Sequence, residues 1–136
     1  MQLNAYLSFN GNCEEAFRYY EKHLGGKIEG MFPFEGSPME GDMPPDWKKK
    51  IMHASLRIGD EVLMGADPPP AHYSKPQGVS VSISVKDPAE AERIFAALAD
   101  GGEVAMPIAE TFWAQRFGMV TDRFGAPWMV NCEKPV

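Results

Sequence analysis

The stretch GVSVSISV, residues 78–85, alternates apolar and polar side chains so regularly that it reads as a strand with one face toward a core. LNAYLSF, residues 3–9, reads as a shorter strand ended by the turn residues NGN. Beyond that turn the period changes. Cys13, Phe17, Tyr20 and Leu24 recur at helical spacing, Asn12 stands as N-cap with Glu15 three positions on, and Gly25 and Gly26 stop the helix. The same grammar follows GVSVSISV. Asp87, Pro88 and Glu90 supply a cap, a first-turn proline and an N3 acid, Ala91, Ile94, Phe95 and Leu98 form the apolar stripe, and Gly101 and Gly102 end it.

The two passages match as a repeat. The caps stand at 12 and 87 and the first stop glycines at 25 and 101, a displacement of 75 or 76 residues. After the first helix come KIEGMF, IMHASLRIGD and EVLMGA; after the second come EVAMPI, a strand through FWAQRFGMV, the turn DRFG, and PWMVN. Each half reads strand, helix and three more strands. The prediction is an α+β chain, one domain over residues 1–136, built of two tandem βαβββ modules at 1–70 and 76–136. The Pro- and Gly-rich segment FPFEGSPMEGDMPPDWKKK, spanning the 33–50 loop, reads as a solvated connection rather than a lid, and ADPPPAHYSKPQ joins the halves.

Alternation assigns faces. Met52, Ala54, Leu56 and Ile58 are expected under a helix, with His53, Ser55 and Arg57 on the other side; Val79, Val81, Ile83 and Val85 likewise oppose Ser80, Ser82 and Ser84. His53, Arg57 and the serines thus form either a polar wall of a pocket or ordinary solvent-side residues. In ETFWAQRFGMVTDRFGAPWMVN, Trp128 is expected in the core, Phe124 and Gly125 in a turn, and Pro127 at a strand start. Phe112 and Trp113 are adjacent bulky rings on a predicted strand, so at least one must leave the helix side. That ring, with Phe9, Met64 and Met129, suits an apolar small-molecule surface or a subunit interface.

Composition removes several function classes. The formal charge is −6, with 13 Lys and Arg against 19 Asp and Glu and no coherent basic face, which argues against nucleic acid. No apolar run approaches the ~20 residues of a membrane span, and the N-terminus lacks signal-peptide features, so the expected location is cytoplasmic. Cys13 and Cys132 lie far apart without metal-type spacing and are read as free thiols, Cys13 buried and structural despite its place in a first helical turn. Glu110 and Asp122 are acids beside the aromatic hairpin, but no nucleophile elbow, phosphate loop or His-acid pair stands at catalytic spacing.

The segments AYLSFNGNCEEAFRYY, IMHASLRIGD and above all ETFWAQRFGMVTDRFGAPWMVN resemble the PhnB-like branch of the vicinal oxygen chelate superfamily, which includes glyoxalase I, the extradiol dioxygenases and antibiotic-resistance proteins. The resemblance covers nearly the whole chain. It implies two curved four-stranded mixed sheets, each with a concave cavity, often completed by pairing between subunits. In metal-dependent members His and Glu from the first and fourth strands of each half hold one divalent ion; aligned here, those positions fall at Ala5, Met64, Ser80 and Met129. Two thioethers and a hydroxyl are poor ligands for such a metal, so no metal and no cofactor are expected. The branch also carries an inherited demethylubiquinone methyltransferase label, which is set aside because the chain has no Gly-rich strand-to-helix loop for a nucleotide-like methyl donor. The reading is a metal-free homodimer, without nucleic-acid or membrane partners, that binds a small apolar or aromatic metabolite in a cavity lined by Phe9, His53, Arg57, Met64, Ser80, Trp113 and Met129. Its alternative is a metal-dependent lyase, isomerase or dioxygenase, or one in which His53 serves as acid or base.

Overall fold

A computed structural model describes residues 1–135. The chain divides into two compact units, Met1–Lys75 and Pro76–Val136. In the first, the order is β1 (Tyr6–Ser8), α1 (Cys13–Leu24), β2 (Lys27–Pro33), β3 (Ile51–Ile58) and β4 (Glu61–Ala66). These strands make one sheet in the order β1-β4-β3-β2, with β1 parallel to β4 and the other pairs antiparallel.

One face of this sheet is covered by α1. The helix buries Cys13, Ala16, Phe17 and Tyr20, the stripe its spacing predicts. Beneath it lie Leu7, Phe9, Ala54, Leu56 and Leu63, all buried, with the Phe17 ring edge-on to Phe9 at 6.0 Å. Full burial of each large side chain contributes on the order of 2 kcal/mol. Gly65 lets the helix approach: a Cβ there would stand 2.8 Å from Phe17 Cε1 and 2.9 Å from the Leu7 carbonyl oxygen.

The helix start differs from the expected capping box. Asn12 has φ −117° and ψ 23° and makes no side-chain cap. Asp67, just past β4, replaces it: Oδ1 accepts from the backbone N–H of Gly11 (2.9 Å) and Cys13 (3.1 Å), and Oδ2 from that of Ile51 (2.9 Å). A buried carboxylate reaching three donors serves the first helical N–H and also ties the turn before it to β3, which a local amide cannot do. Gly25 closes the helix with φ 77°, as its position predicts.

The 33–50 loop is not a solvated connection. Phe34, Met43 and Trp47 bury one another, and Met52 packs against them. Short 3₁₀ turns at Glu40–Asp42 and Pro45–Trp47 fold the segment onto itself, and Trp47 Nε1 donates to the Asp67 carbonyl oxygen at 3.3 Å. Its apolar side chains are too far apart for periodicity to reveal this small core.

The second unit repeats the plan with β5 (Val81–Ser84), α2 (Pro88–Ala99), β6 (Glu103–Ala109), β7 (Ala114–Thr121) and β8 (Pro127–Glu133), its sheet ordered β5-β8-β7-β6. Helix α2 buries Ala91, Ile94, Phe95 and Leu98. Asp87 caps it by accepting from Ala89 N–H at 3.1 Å, while Glu90 turns to Arg93 instead of completing a box. Strand β5 is shorter than GVSVSISV. Val81 pairs with Trp128, so one residue earlier the neighbour is Pro127, which has no N–H to extend the ladder. Val79 is accordingly exposed rather than under the helix.

Both cysteines are free and fully buried. Burial pushes the Cys13 thiol far above its usual range, helped by the negative charges of Asp67 and Glu14, so the helix N-terminus does not yield a thiolate. A thiol titration with a chromogenic disulfide is therefore expected to find no reactive thiol in the native protein and both in denaturant. Rapid native reaction at Cys13 would contradict this packing.

Candidate functional sites on the open sheet faces

The faces that the helices leave uncovered carry the candidate site residues. In the first unit, Tyr6 pairs with Met64, Met64 with Ser55, and His53 with Phe32, which places these five side chains on the face away from α1. Tyr6 Oη lies 3.0 Å from His53 Nδ1, and the two rings are 5.7 Å apart. Burial is the main reason the Tyr6 phenol is held above its ordinary pKa, so it keeps its proton. Phe32 and Tyr6 are each about half exposed. A bulge between Ile28 and Gly30 swings Glu29 to Arg57, whose Nε reaches Glu29 Oε1 at 3.0 Å. Arg57 is thereby neutralised, although the exposed pair adds little stability.

In the second unit, Ser82 pairs with Met129, Met129 with Met119, Ser84 with Asn131 and Asn131 with Phe117. The aromatic end comes from the turn before β7. The strand begins at Ala114, not at Phe112, because Thr111 N–H donates to the Ala114 carbonyl and Ala114 N–H to Thr111 Oγ1. Phe112 and Trp113 therefore both escape the core, at 89 % and 45 % exposure. Trp113 meets Phe112 and Phe117 edge-on at 4.8 and 5.3 Å.

Several expected positions move. Phe9 is buried at 0 % exposure between sheet and helix, so it does not join the open face. Ala5 precedes β1, and Tyr6 is the residue that stands beside Met64. Ser80 precedes β5 and is exposed, and Ser82 stands beside Met129. His53, Arg57 and Met64 share one sheet face, while Trp113, in the turn before β7, and Met129, on β8, belong to the second unit. Sequence reading missed Phe32, Phe117 and Asn131. The Asn131 Oδ1 is buried and has no hydrogen-bond partner. Alternation in PWMVNCE would have placed Asn131 with Met129; the strand's continuation through Cys132 was the signal overlooked.

The inherited metal positions do not fit a divalent ion. Tyr6 and Met64 on one sheet, and Ser82 and Met129 on the other, supply a phenol, a hydroxyl and two thioethers. None is a good donor for a hard or borderline metal, save a phenolate, which the raised Tyr6 pKa disfavours. Among the described residues no three of His, Cys, Asp and Glu gather as a metal-binding group. The acids of the aromatic hairpin are engaged otherwise: Asp122 is buried and accepts from Phe124 N–H, Ala126 N–H and Trp128 Nε1–H, and Glu110 pairs with Lys134.

A cleft of about 500 Å³ lies elsewhere, at the start of α1, lined by Asn12, Glu14, Arg18, Asp46, Lys49 and Lys50 among others. Its charges are mixed and Arg18 is already paired with Glu14 at 2.9 Å. None of His53, Arg57 or Met64 borders it. Size favours the cleft, but convergent aromatic, thioether and imidazole groups favour the open faces, and these remain the candidate sites.

Residues 2–130 match the family model described as Glyoxalase/Bleomycin resistance protein/Dioxygenase superfamily. The chain is 36 % identical to Protein YjdN of Escherichia coli (strain K12), over 98 % of this chain and 97 % of that one. Among solved structures it is similar to protein PA1353 from Pseudomonas aeruginosa, at 55 % identity and TM-score 0.90 over 99 % of both chains. A PhnB protein from Bacillus cereus, which carries the unproven name 3-demethylubiquinone-9 3-methyltransferase, shares the fold at 20 % identity and TM-score 0.81, over 97 % of this chain and 99 % of that one. No helix of the described residues is long and apolar enough to cross a membrane.

Proposed function

The chain belongs to the Glyoxalase/Bleomycin resistance protein/Dioxygenase superfamily, and from that premise we propose that it binds a small apolar or aromatic metabolite without a resident metal. The carrying observation is the chemistry of the open sheet faces. Where metal-dependent relatives need imidazole and carboxylate donors, this chain has Tyr6, Met64, Ser82 and Met129. Thioethers and rings adapt to flat or apolar ligands far better than they chelate. The trio Phe112, Trp113 and Phe117 adds an aromatic surface that ordinary packing does not require. The same exposed rings suit pairing of two copies, so the working form in this reading is a cytoplasmic homodimer.

The methyltransferase name is not carried over. Each sheet has one parallel pair, and the turn into α1 is Asn10-Gly11-Asn12, with no Gly-rich phosphate-cradling loop. The Tyr6–His53 contact suits the enzymatic alternative in which His53 serves as a general acid, and that alternative predicts that His53→Ala abolishes turnover of a candidate substrate.

Elemental analysis after loading with zinc, nickel, manganese or ferrous iron and desalting is expected to find no near-stoichiometric metal. Thermal-shift screening with small aromatic and aliphatic compounds should raise the melting temperature; a ligand at 100 times its Kd stabilises by about 2.7 kcal/mol. Stoichiometric metal held by side chains would overturn the proposal.

A further inference from the structure

We infer that Tyr6 and His53 form the polar end of the binding site on the first unit's sheet, with His53 Nε2–H presented to a carboxylate oxygen of an apolar or aromatic acid. The inference deepens the small-molecule reading above and rests on it. It starts from the 3.0 Å contact between Tyr6 Oη and His53 Nδ1. A neutral imidazole meets the phenol in one of two ways, accepting from its O–H at Nδ1 or donating Nδ1–H to its oxygen; the proposed arrangement is the first, with the phenol as donor and the ring proton on Nε2. When the imidazole is cationic, both nitrogens carry protons and Nδ1–H donates to the phenol oxygen. With the phenol as donor to the neutral ring, Nε2 is a donor in either state. His53 held this way cannot take a proton from a substrate through Nε2, which makes it an oxygen-binding group and not a general base.

The neighbours specify the rest. Ser55, one strand position beyond Ala54, puts a second hydroxyl on the same face. Arg57 is turned to Glu29 at 3.0 Å, and the imidazole is the donor that the Tyr6 contact holds in place. Phe32, the cross-strand neighbour of His53, and Met64, the neighbour of both Tyr6 and Ser55, supply apolar contact beside these donors. A polar group next to exposed ring and thioether surface matches a molecule with an apolar body and one oxygen-bearing end. His53 would touch the ligand; Tyr6 is a positioning residue that fixes the tautomer.

The test uses the full chain labelled with ¹⁵N, with benzoate as the acid probe and benzyl alcohol as its uncharged counterpart. Above neutral pH, long-range ¹H–¹⁵N spectra should show His53 protonated on Nε2, and Tyr6→Phe should convert it to a mixture of tautomers. Benzoate should shift the Nε2 signal saturably and bind about tenfold or more tightly than benzyl alcohol, the value of one charge-assisted hydrogen bond. His53→Phe should erase that preference. A proton on Nδ1 in the unliganded protein overturns the inference whatever binds. Equal binding of the two probes overturns the carboxylate preference while leaving the small-molecule reading intact. Failure of both probes to perturb His53, Phe32 and Met64 counts against both.

Discussion

Asp67→Ala is expected to destabilise the first unit by about 4 kcal/mol at neutral pH, because three backbone donors, two of them buried, lose their acceptor together. Asp67 is 1 % exposed, and Gly11, Cys13 and Ile51 all give their N–H to it. Those donors belong to the β1–α1 turn, the helix start and the start of β3, so one side chain fastens three places remote in sequence. Asp67→Asn should cost about half as much, since its oxygen can still serve Gly11 and Cys13 while its amide N–H₂ faces the Ile51 N–H. Urea unfolding of the two variants measures both; an Asn variant as stable as the wild type would show that the carboxylate's second oxygen is dispensable, and equal losses would show that the oxygen Asn retains recovers nothing.

The pH dependence has a definite sign. Burial lifts the Asp67 carboxyl above its usual 3.8, outweighing its three donors and the Lys50 charge. The folded chain then holds this proton more tightly than the unfolded one. The contribution of Asp67 is complete below pH 3.8 and declines as pH rises through the raised folded value. The stability gap between the wild type and Asp67→Ala should widen as pH is lowered through that window. A gap that narrows instead would mean that the three N–H donors prevail over burial.

What was legible in the sequence follows from which interactions are local. Both helices announced themselves through the spacing of Phe17 and Tyr20 and of Ile94 and Leu98, because a helix writes its buried face every three or four residues. Gly25 and Gly101 were readable as stops because both need positive φ, 77° and 74°. Asn12 misled because its cap is replaced by Asp67, a residue 55 positions away that no local pattern links to it. Phe9 misled because it was grouped with Met64 and Met129 as an apolar ligand surface, whereas parity with Leu7 puts it under α1. Tyr6 and Ser82 escaped because strand register was fixed only by partners, Met64 and Met129, and a slip of one or two residues moves the open-face position. His53 was visible by alternation alone, but its meaning depends on Tyr6, and that pairing exists only once β1 lies beside β4 and β4 beside β3.

Trp128→Ala is expected to cost the second unit about 5 kcal/mol, the loss typical of a buried ring plus the stranding of a charged acceptor. Trp128 is 2 % exposed on the helix side of β8, and its Nε1–H donates to Asp122 Oδ2 at 2.8 Å. The other Asp122 oxygen holds the Phe124 and Ala126 N–H groups, so the carboxylate joins the ring to the turn that launches β8. That arrangement explains why DRFGAPW carries an acid five residues before the proline that starts the strand: the turn and the first core residue of the strand share one acceptor. Trp128→Phe retains most of the ring and tests the hydrogen bond more directly. In a double-mutant cycle with Asp122→Ala, read by urea unfolding, the two changes should couple by about 1–2 kcal/mol. Strict additivity would show that the indole serves only by filling space, and the turn would then owe its shape to the backbone donors alone.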